Sequence, residues 1–525
     1  MTEATAVIAE TGSGRVRGEI SAGICVFKGI PYGASTAGQN RFMPPRKPQP
    51  WTGVLDALAY GPVAMQDRLE TQMLSLPPEF ARVLQGNMAY GAHPNSEDCL
   101  TLHVWTPALR DGHWRPVMVW CHGGGFGIGS GQADWHDGTN LARNEDVVVV
   151  HFNHRLNIFG YLYLADLGDE RFAASSNAGM LDIVAVLEWV RDNIAEFGGD
   201  PNNVTIFGES GGGEKVTTLM AMPAARGLFQ RAIVQSGSGV GGVTREDATG
   251  MAREVLAQLN LRPDQLSELQ ALPAEAILDA MERLAQAATA RGEFRMEFQP
   301  VLDGRSLPHH PLDPAGMAVS ADVPLLVGTT KDEARLMGAI NPELFAIDET
   351  RLPGTIKSIT GADEATVAGV IETYRAAWPG ASPSDLTFAV MTDRMFRLAA
   401  ITQAERKSAL GHAPAYMYYF GWEAPGSRYR AGHGVEVPFT FDNIDLAPGL
   451  LHQAPPAMVH ELSRNVSAAW AAFARTGQPA HAGLPAWEPY DVQERATMVL
   501  DYRSRLVYDP HPEARTALAP LLARD

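Results

Sequence analysis

Apolar residues along this chain fall into short unbroken runs separated by stretches of helical period. The runs are 117–121, 147–150, 204–207, 232–234, 325–327 and 416–420. Runs of that length without polar alternation predict strands buried on both faces, as in a parallel sheet. Two later runs, 498–501 and 506–508, predict added edge strands. Between the runs, Ile183, Val186, Leu187, Val190, Ile194 and Phe197 recur at helical spacing, as do Val459, Leu462, Val466, Trp470 and Phe473. The first of these helices ends in Phe197-Gly198-Gly199-Asp200-Pro201, a strong stop. Strand and helix in alternation predict an α/β architecture with right-handed crossovers. No internal repeat or low-complexity linker interrupts it, so residues 1–525 read as one domain. Two regions break the alternation. Residues 66–95, with Met65, Met73 and Met88 in or beside them, carry loop signals, and residues 244–300 are helix-rich in Glu, Gln, Ala and Leu.

Composition narrows the class. The 525 residues are 45% hydrophobic and 19% charged, ordinary for a globular chain with a large core. Lys and Arg number 42 against 60 Asp and Glu, a net charge of −18, which disfavours nucleic acid and anionic membrane as partners. Cys25, Cys99 and Cys121 are the only cysteines; they form no metal-ligand spacing and no disulfide framework. With no CxxC and no HExxH, neither a catalytic metal nor a cofactor is expected. The start, Met1-Thr2-Glu3-Ala4, lacks a basic and then apolar leader, and no stretch reaches eighteen apolar residues, so a cytoplasmic protein without a membrane span is expected. Oligomeric state is not legible.

The chemistry lies after the run 204–207, in Gly208-Glu209-Ser210-Gly211-Gly212. A Gly-x-Ser-x-Gly pentapeptide is a weak signal alone. Between a buried strand and a helix it has a mechanical meaning: a sharp turn that presents a serine hydroxyl as nucleophile. Such a serine needs a base, an acid that orients the base, and donors for the oxyanion. In Gly328-Thr329-Thr330-Lys331-Asp332-Glu333, both Asp332 and Glu333 follow a buried run, where open α/β sheets place their sites. Of the downstream histidines, His433 stands out in Ala431-Gly432-His433-Gly434-Val435-Glu436, because flanking glycines permit close approach to the nucleophile. His122-Gly123-Gly124-Gly125-Phe126 follows the run 117–121, and a triple glycine there suits a loop that turns its amides toward one point. No Gly-Lys-Ser/Thr follows it, which disfavours a phosphate loop. Phe126 is expected to line the pocket.

Several motifs in order resemble the type-B carboxylesterase family, the esterase–cholinesterase group, and its bacterial members. They are Phe27-Lys28-Gly29-Ile30-Pro31-Tyr32-Gly33, Ser96-Glu97-Asp98-Cys99-Leu100-Thr101-Leu102, Asn153-His154-Arg155-Leu156, Phe207-Gly208-Glu209-Ser210-Gly211-Gly212-Gly213 and Phe473-Ala474-Arg475-Thr476-Gly477. The resemblance implies an α/β-hydrolase fold: a central, mostly parallel twisted sheet flanked by helices, with cap or gorge-lining insertions at 66–95 and 244–300. For the second insertion, added structural helices are the alternative. It implies Glu333 rather than Asp332 as the acid, His433 as the base, and an oxyanion hole from the N–H groups of Gly124, Gly125 and Gly211. It places Glu209 and Ser236 as polar groups near the histidine, and implies two structural ion pairs, Arg41 with Glu97 and Arg155 with Asp182. Two departures stand out. The family usually has Ala where this chain has Gly211, which predicts a working but looser oxyanion loop. The cysteine that secreted members pair with Cys99 is missing, which predicts a free, buried thiol. The function implied is hydrolysis of small to medium neutral carboxylic esters, a small-molecule substrate class. The alternative is carbamate or amide hydrolysis by the same residues, and the remote alternative a non-catalytic binding protein on the same fold.

Overall fold

The computed structural model describes residues 5–66, 77–83, 93–291, 298–451 and 454–522. Their strands are β1 (Ala6–Thr11), β2 (Gly14–Ser21), β3 (Ile24–Pro31), β4 (Val54–Asp56), β5 (Thr101–Thr106), β6 (Arg115–Cys121) and β7 (Val148–Phe152). The second half adds β8 (Gly199–Glu209), β9 (Arg231–Gln235), β10 (Leu325–Thr330), β11 (Ala415–Phe420), β12 (Ala496–Leu500) and β13 (Arg505–Tyr508). They form one sheet in the order β1-β2-β3-β5-β7-β6-β8-β9-β10-β11-β12-β13, with β4 beside β2. The run from β7 to β12 is parallel throughout, and antiparallel pairs close both ends.

Each unbroken apolar run forms a strand because both faces of the sheet are covered. Along β6, Val117, Val119 and Cys121 enter the core on one side, with Ile183, Val186, Leu187 and Val190 of the helix Ala178–Asn193. Met118 and Trp120 enter the core on the other side, with Val459, Leu462, Val466, Trp470 and Phe473 of the helix Pro456–Thr476. Successive side chains of a strand point to opposite faces, so two layers of core need every residue from Val117 to Cys121 to be apolar. The chain turns from the first helix into β8 at Gly198, whose φ of +76° ends the helical segment.

The run 498–501 is no edge strand: β12 lies parallel to β11, and the edge is β13. Region 244–300 forms the helices Arg245–Gln258, Leu266–Ala271 and Ala274–Ala290. The carbonyls of Leu269, Gln270 and Leu272 accept bonds from the Arg41 guanidinium, which ties this region to the N-terminal segment. Of residues 66–95, the helix Pro78–Val83 is described, whereas Met73 and Met88 lie outside the described residues. Cys25, Cys99 and Cys121 are all free and buried. Among the described residues no helix is long and apolar enough to cross a membrane.

Two ion pairs with little exposure tie distant segments together. Arg41 makes two 2.6 Å contacts with Glu97, and Arg155 grips Asp182 through Nε at 2.8 Å and Nη2 at 2.6 Å. Asp182 is fully buried and Arg155 nearly so, so removing one partner strands the other's charge in the core. Asp182→Asn should therefore cost about 3–5 kcal/mol of stability, read as a lower midpoint in urea with an unchanged slope.

Candidate active site

Five segments leave the C-terminal ends of neighbouring parallel strands and meet above the sheet. They are His122–Phe126 after β6, Ser210 after β8, Ser236 after β9, Glu333 after β10 and His433 in the loop after β11. Ser210 sits between β8 and the helix Gly211–Leu219 at φ +57°, ψ −128°. A non-glycine residue at such angles is strained, and the strain is held by the surroundings. Its N–H donates to the Gln235 carbonyl at 2.8 Å, and its carbonyl accepts from Glu214 N at 2.9 Å. These bonds lock the turn from the strand side and the helix side.

Glu333 and Asp332, equivalent by sequence alone, have different surroundings. Asp332 lies 3.3 Å from Arg335. Glu333 is fully buried; its Oε2 is 2.5 Å from His433 Nδ1. Its Oε1 accepts from Ser236 Oγ at 2.5 Å and from Thr330 N at 2.6 Å. With Nδ1 committed to Glu333, Nε2 is the nitrogen left to serve Ser210. That nitrogen stands 3.3 Å from Glu209 Oε1. Ser210, His433 and Glu209 line one cavity of about 210 Å³, together with Gly123, Gly124, Ile128, Leu336 and Val437.

The glycine loop is pinned carbonyl by carbonyl. Lys215 Nζ donates to His122 O at 3.0 Å and to Gly125 O at 2.6 Å. His122 Nδ1 bonds Gly123 O at 2.8 Å, and Ile128 N donates to Gly124 O at 3.1 Å. No acceptor in the described chain takes the N–H of Gly124, Gly125 or Gly211. Gly124 has φ +91°, and a Cβ there would stand 2.4 Å from Ile128 O. The looser loop expected from Gly211 is not what is found: a Cβ on Gly211 would stand 2.3 Å from the backbone of Gly125. Glycine lets loop and elbow close on each other. Phe126 also departs from expectation. It is buried, edge-on to Tyr161 at 5.2 Å and 5.4 Å from Lys215 Nζ, so Ile128 and the glycines form the cavity wall instead.

Two buried charged groups were not singled out by sequence. Lys215 lies five residues beyond Ser210 on the elbow helix and is fully buried. Glu436 lies three residues beyond His433, also fully buried, with Oε1 3.4 Å from Gln235 Nε2. Sequence spacing places both near the site but cannot reveal that they are buried. Three carboxylates thus surround one imidazole and cannot all be charged. Burial, then the charges of Glu209 and Glu333, pushes Glu436 well above the usual carboxylate range. Burial likewise raises Glu209 to about 7, against the pull of His433. For His433, burial opposes protonation, but Glu209 and then Glu333 outweigh it and lift the imidazole to about 10.

Comparison with known proteins gives this geometry its setting. A model of the carboxylesterase family matches residues 5–517. The chain belongs to the carboxylesterase family. It is 36% identical over 516 residues to the para-nitrobenzyl esterase of Bacillus subtilis, covering 98% of both chains. It is 34% identical to the phenmedipham hydrolase of Pseudarthrobacter oxydans, covering 94% of this chain and 95% of that one. The solved structure of the Geobacillus stearothermophilus carboxylesterase EST55 superposes with a TM-score of 0.83 at 36% identity, covering 97% of this chain and 99% of that one. The fold is thus the α/β-hydrolase fold, and the protein is an ester hydrolase of this family.

The carboxylate cluster has a consequence for pH. An imidazole must be neutral to accept a proton, so with His433 as the base its raised pKa would move the acid limb of kcat/KM above the ordinary histidine value of about 6.5. Glu209 is the foremost charge raising it. Glu209→Gln should shift that limb to lower pH, measured on a p-nitrophenyl ester. A limb that stays or moves upward would show that Glu209 does not hold the proton on His433.

Proposed function

We propose that this protein hydrolyses small to medium neutral carboxylic esters through an acyl-enzyme on Ser210. His433 Nε2 takes the Ser210 proton as Oγ bonds to the ester carbonyl carbon. Glu333 fixes the imidazole tautomer through Nδ1 and stabilises the imidazolium. The N–H groups of Gly124, Gly125 and Gly211 hold the oxyanion. The tetrahedral intermediate then collapses, the bond to the alcohol oxygen breaks, and His433 gives its proton to that oxygen. Water repeats the sequence to release the acid. Ser236 holds Glu333 in place, and Glu209 sets the charge that the imidazole faces.

The observation that carries this reading is the strained Ser210 turn, at φ +57°, opening into the same cavity as a histidine bonded to a buried glutamate. The cavity of about 210 Å³ is below the range of about 300–1,000 Å³ usual for drug-sized ligands, which favours small acyl groups. Its wall of Ile128, Leu336 and Val437 is apolar, which suits an uncharged acyl group. Within one domain spanning the chain, Phe80 of the helix Pro78–Val83 borders a hollow beside His433, so we read that helix as the part of the expected 66–95 insertion that faces the substrate. None of the described residues of 244–300 lines either space, and we read the helices Arg245–Gln258, Leu266–Ala271 and Ala274–Ala290 as structural. An intracellular setting accords with the three free thiols, Cys25, Cys99 and Cys121.

A second reading, carbamate or amide hydrolysis by the same residues, gains support from the similarity to a protein named phenmedipham hydrolase. Matched aryl ester, carbamate and anilide substrates separate the two by their relative kcat/KM. The ester should turn over fastest, and rates on p-nitrophenyl esters should fall as the acyl chain outgrows the cavity. Ser210→Ala and His433→Ala should each lose several orders of magnitude in kcat. Normal turnover by Ser210→Ala would refute the reading, and a preferred carbamate would favour the second one.

A further inference from the structure

Lys215 is a charged group that the proposed mechanism does not use. Its side chain is fully buried on the elbow helix Gly211–Leu219, and among the described residues no carboxylate pairs with it. Burying an ammonium without an ion-pair partner is expensive. A methionine of similar length would fill the space without that cost, so packing alone does not account for a lysine here. The ammonium is satisfied by the glycine loop instead: by His122 O at 3.0 Å, by Gly125 O at 2.6 Å, and by the face of Phe126 at 5.4 Å. Those two carbonyls bracket the peptides that carry the N–H groups of Gly124 and Gly125.

We propose that Lys215 is a positioning residue for the oxyanion hole, clamping the glycine loop to the helix that the nucleophile caps. The proposal rests on the acyl-enzyme reading above and deepens it. Ser210 caps the helix that carries Lys215, and its carbonyl accepts from Glu214 N at 2.9 Å, so whatever fixes Lys215 Nζ helps fix the loop relative to Oγ. A glycine-rich loop has more conformational freedom to lose than any other, and the two bonds remove it before substrate arrives. Preorganisation of this kind is what gives oxyanion donors their effect, because no reorganisation is left to the reaction itself. The closure against Gly211 acts in the same direction: one backbone seats the loop, and one ammonium holds it there. Burial lowers the Lys215 pKa to about 8, with Cys121 and Glu214 opposing, so the clamp is cationic at neutral pH.

The test compares wild type, Lys215→Met and Lys215→Gln on a p-nitrophenyl ester and on a matched pair of inhibitors. One inhibitor is a trifluoromethyl ketone, which adds to a serine and places a hemiketal oxyanion in the hole. The other is the methyl ketone of the same shape, which binds without that charge. Lys215→Met should lower kcat by roughly 10²-fold, the size of losing one oxyanion donor, with KM nearly unchanged. Its Ki for the trifluoromethyl ketone should rise by the same factor, and its Ki for the methyl ketone should not move. Lys215→Gln, which can still donate to one carbonyl, should recover part of the loss. If Lys215→Met does not fold, the same constants for Lys215→Gln decide the matter. Unchanged kcat, or a loss of kcat without the selective loss of trifluoromethyl ketone affinity, overturns the clamp. A fluorophosphonate probe that labels Ser210 in all folded variants separates that outcome from failure of the acyl-enzyme reading, in which wild type itself goes unlabelled.

Discussion

The contact between two glycine backbones, Gly211 and Gly125, is the constraint on which the rest of the site depends. There is no room for a methyl group between them. Because the two segments leave adjacent strands, β8 and β6, their closeness follows from the parallel register of the sheet. The register in turn is held by β6, which is buried throughout, and by residues 204–209 of β8, with a core on each face. A local geometry good to a fraction of an ångström is thereby tied to the packing of the whole molecule. The elbow's strain persists for the same reason: Ser210 is bonded to Gln235 of β9 on one side and to its own helix on the other.

Electrostatics sets the second layer of constraint. Glu209, Glu333 and Glu436 crowd one imidazole. Burial holds the Glu436 carboxyl well above the usual carboxylate range, Glu333 uses both oxygens in hydrogen bonds, and burial raises Glu209 to about 7. The two environments pull carboxylates of one residue type apart in pKa, which is the pattern by which a single fold holds acid and base functions together.

Much of this architecture is legible in the sequence. Strands buried on both faces announce themselves as unbroken apolar runs, so β6, β8, β9, β10 and β11 are readable, as are the two long helices. β5 is not, because His103 interrupts its apolar run; the fold accommodates that histidine by letting Nδ1 accept from Gly29 N at 2.9 Å. β2, paired with both β1 and β3, is only partly buried and mixes Arg and Glu with Val and Ile, too weak a pattern to read alone. At the site, motif order brings Ser210, Glu333, His433 and the glycine loop to attention. The choice between Asp332 and Glu333 needs either family resemblance or the position of His433, which lies 100 residues beyond Glu333 in the chain. Phe126 is buried beside Tyr161, and adjacency in sequence to a glycine of the loop says nothing about which way the chain turns after Gly125. Lys215 and Glu436 draw no notice in the sequence because a charged residue there reads as solvated by default.

The claim that loop and elbow must touch is tested most directly by Gly211→Ala, measured as kcat and KM on a p-nitrophenyl ester alongside stoichiometric labelling of Ser210. A methyl group there must push Gly125 away, and a misplacement on the order of 1 Å costs roughly 10²-fold in rate. The account predicts that kcat falls by about that factor while KM changes little and Ser210 still takes one label per chain. Full kcat in Gly211→Ala would contradict it, since the oxyanion donors would then not depend on the closeness of the two backbones.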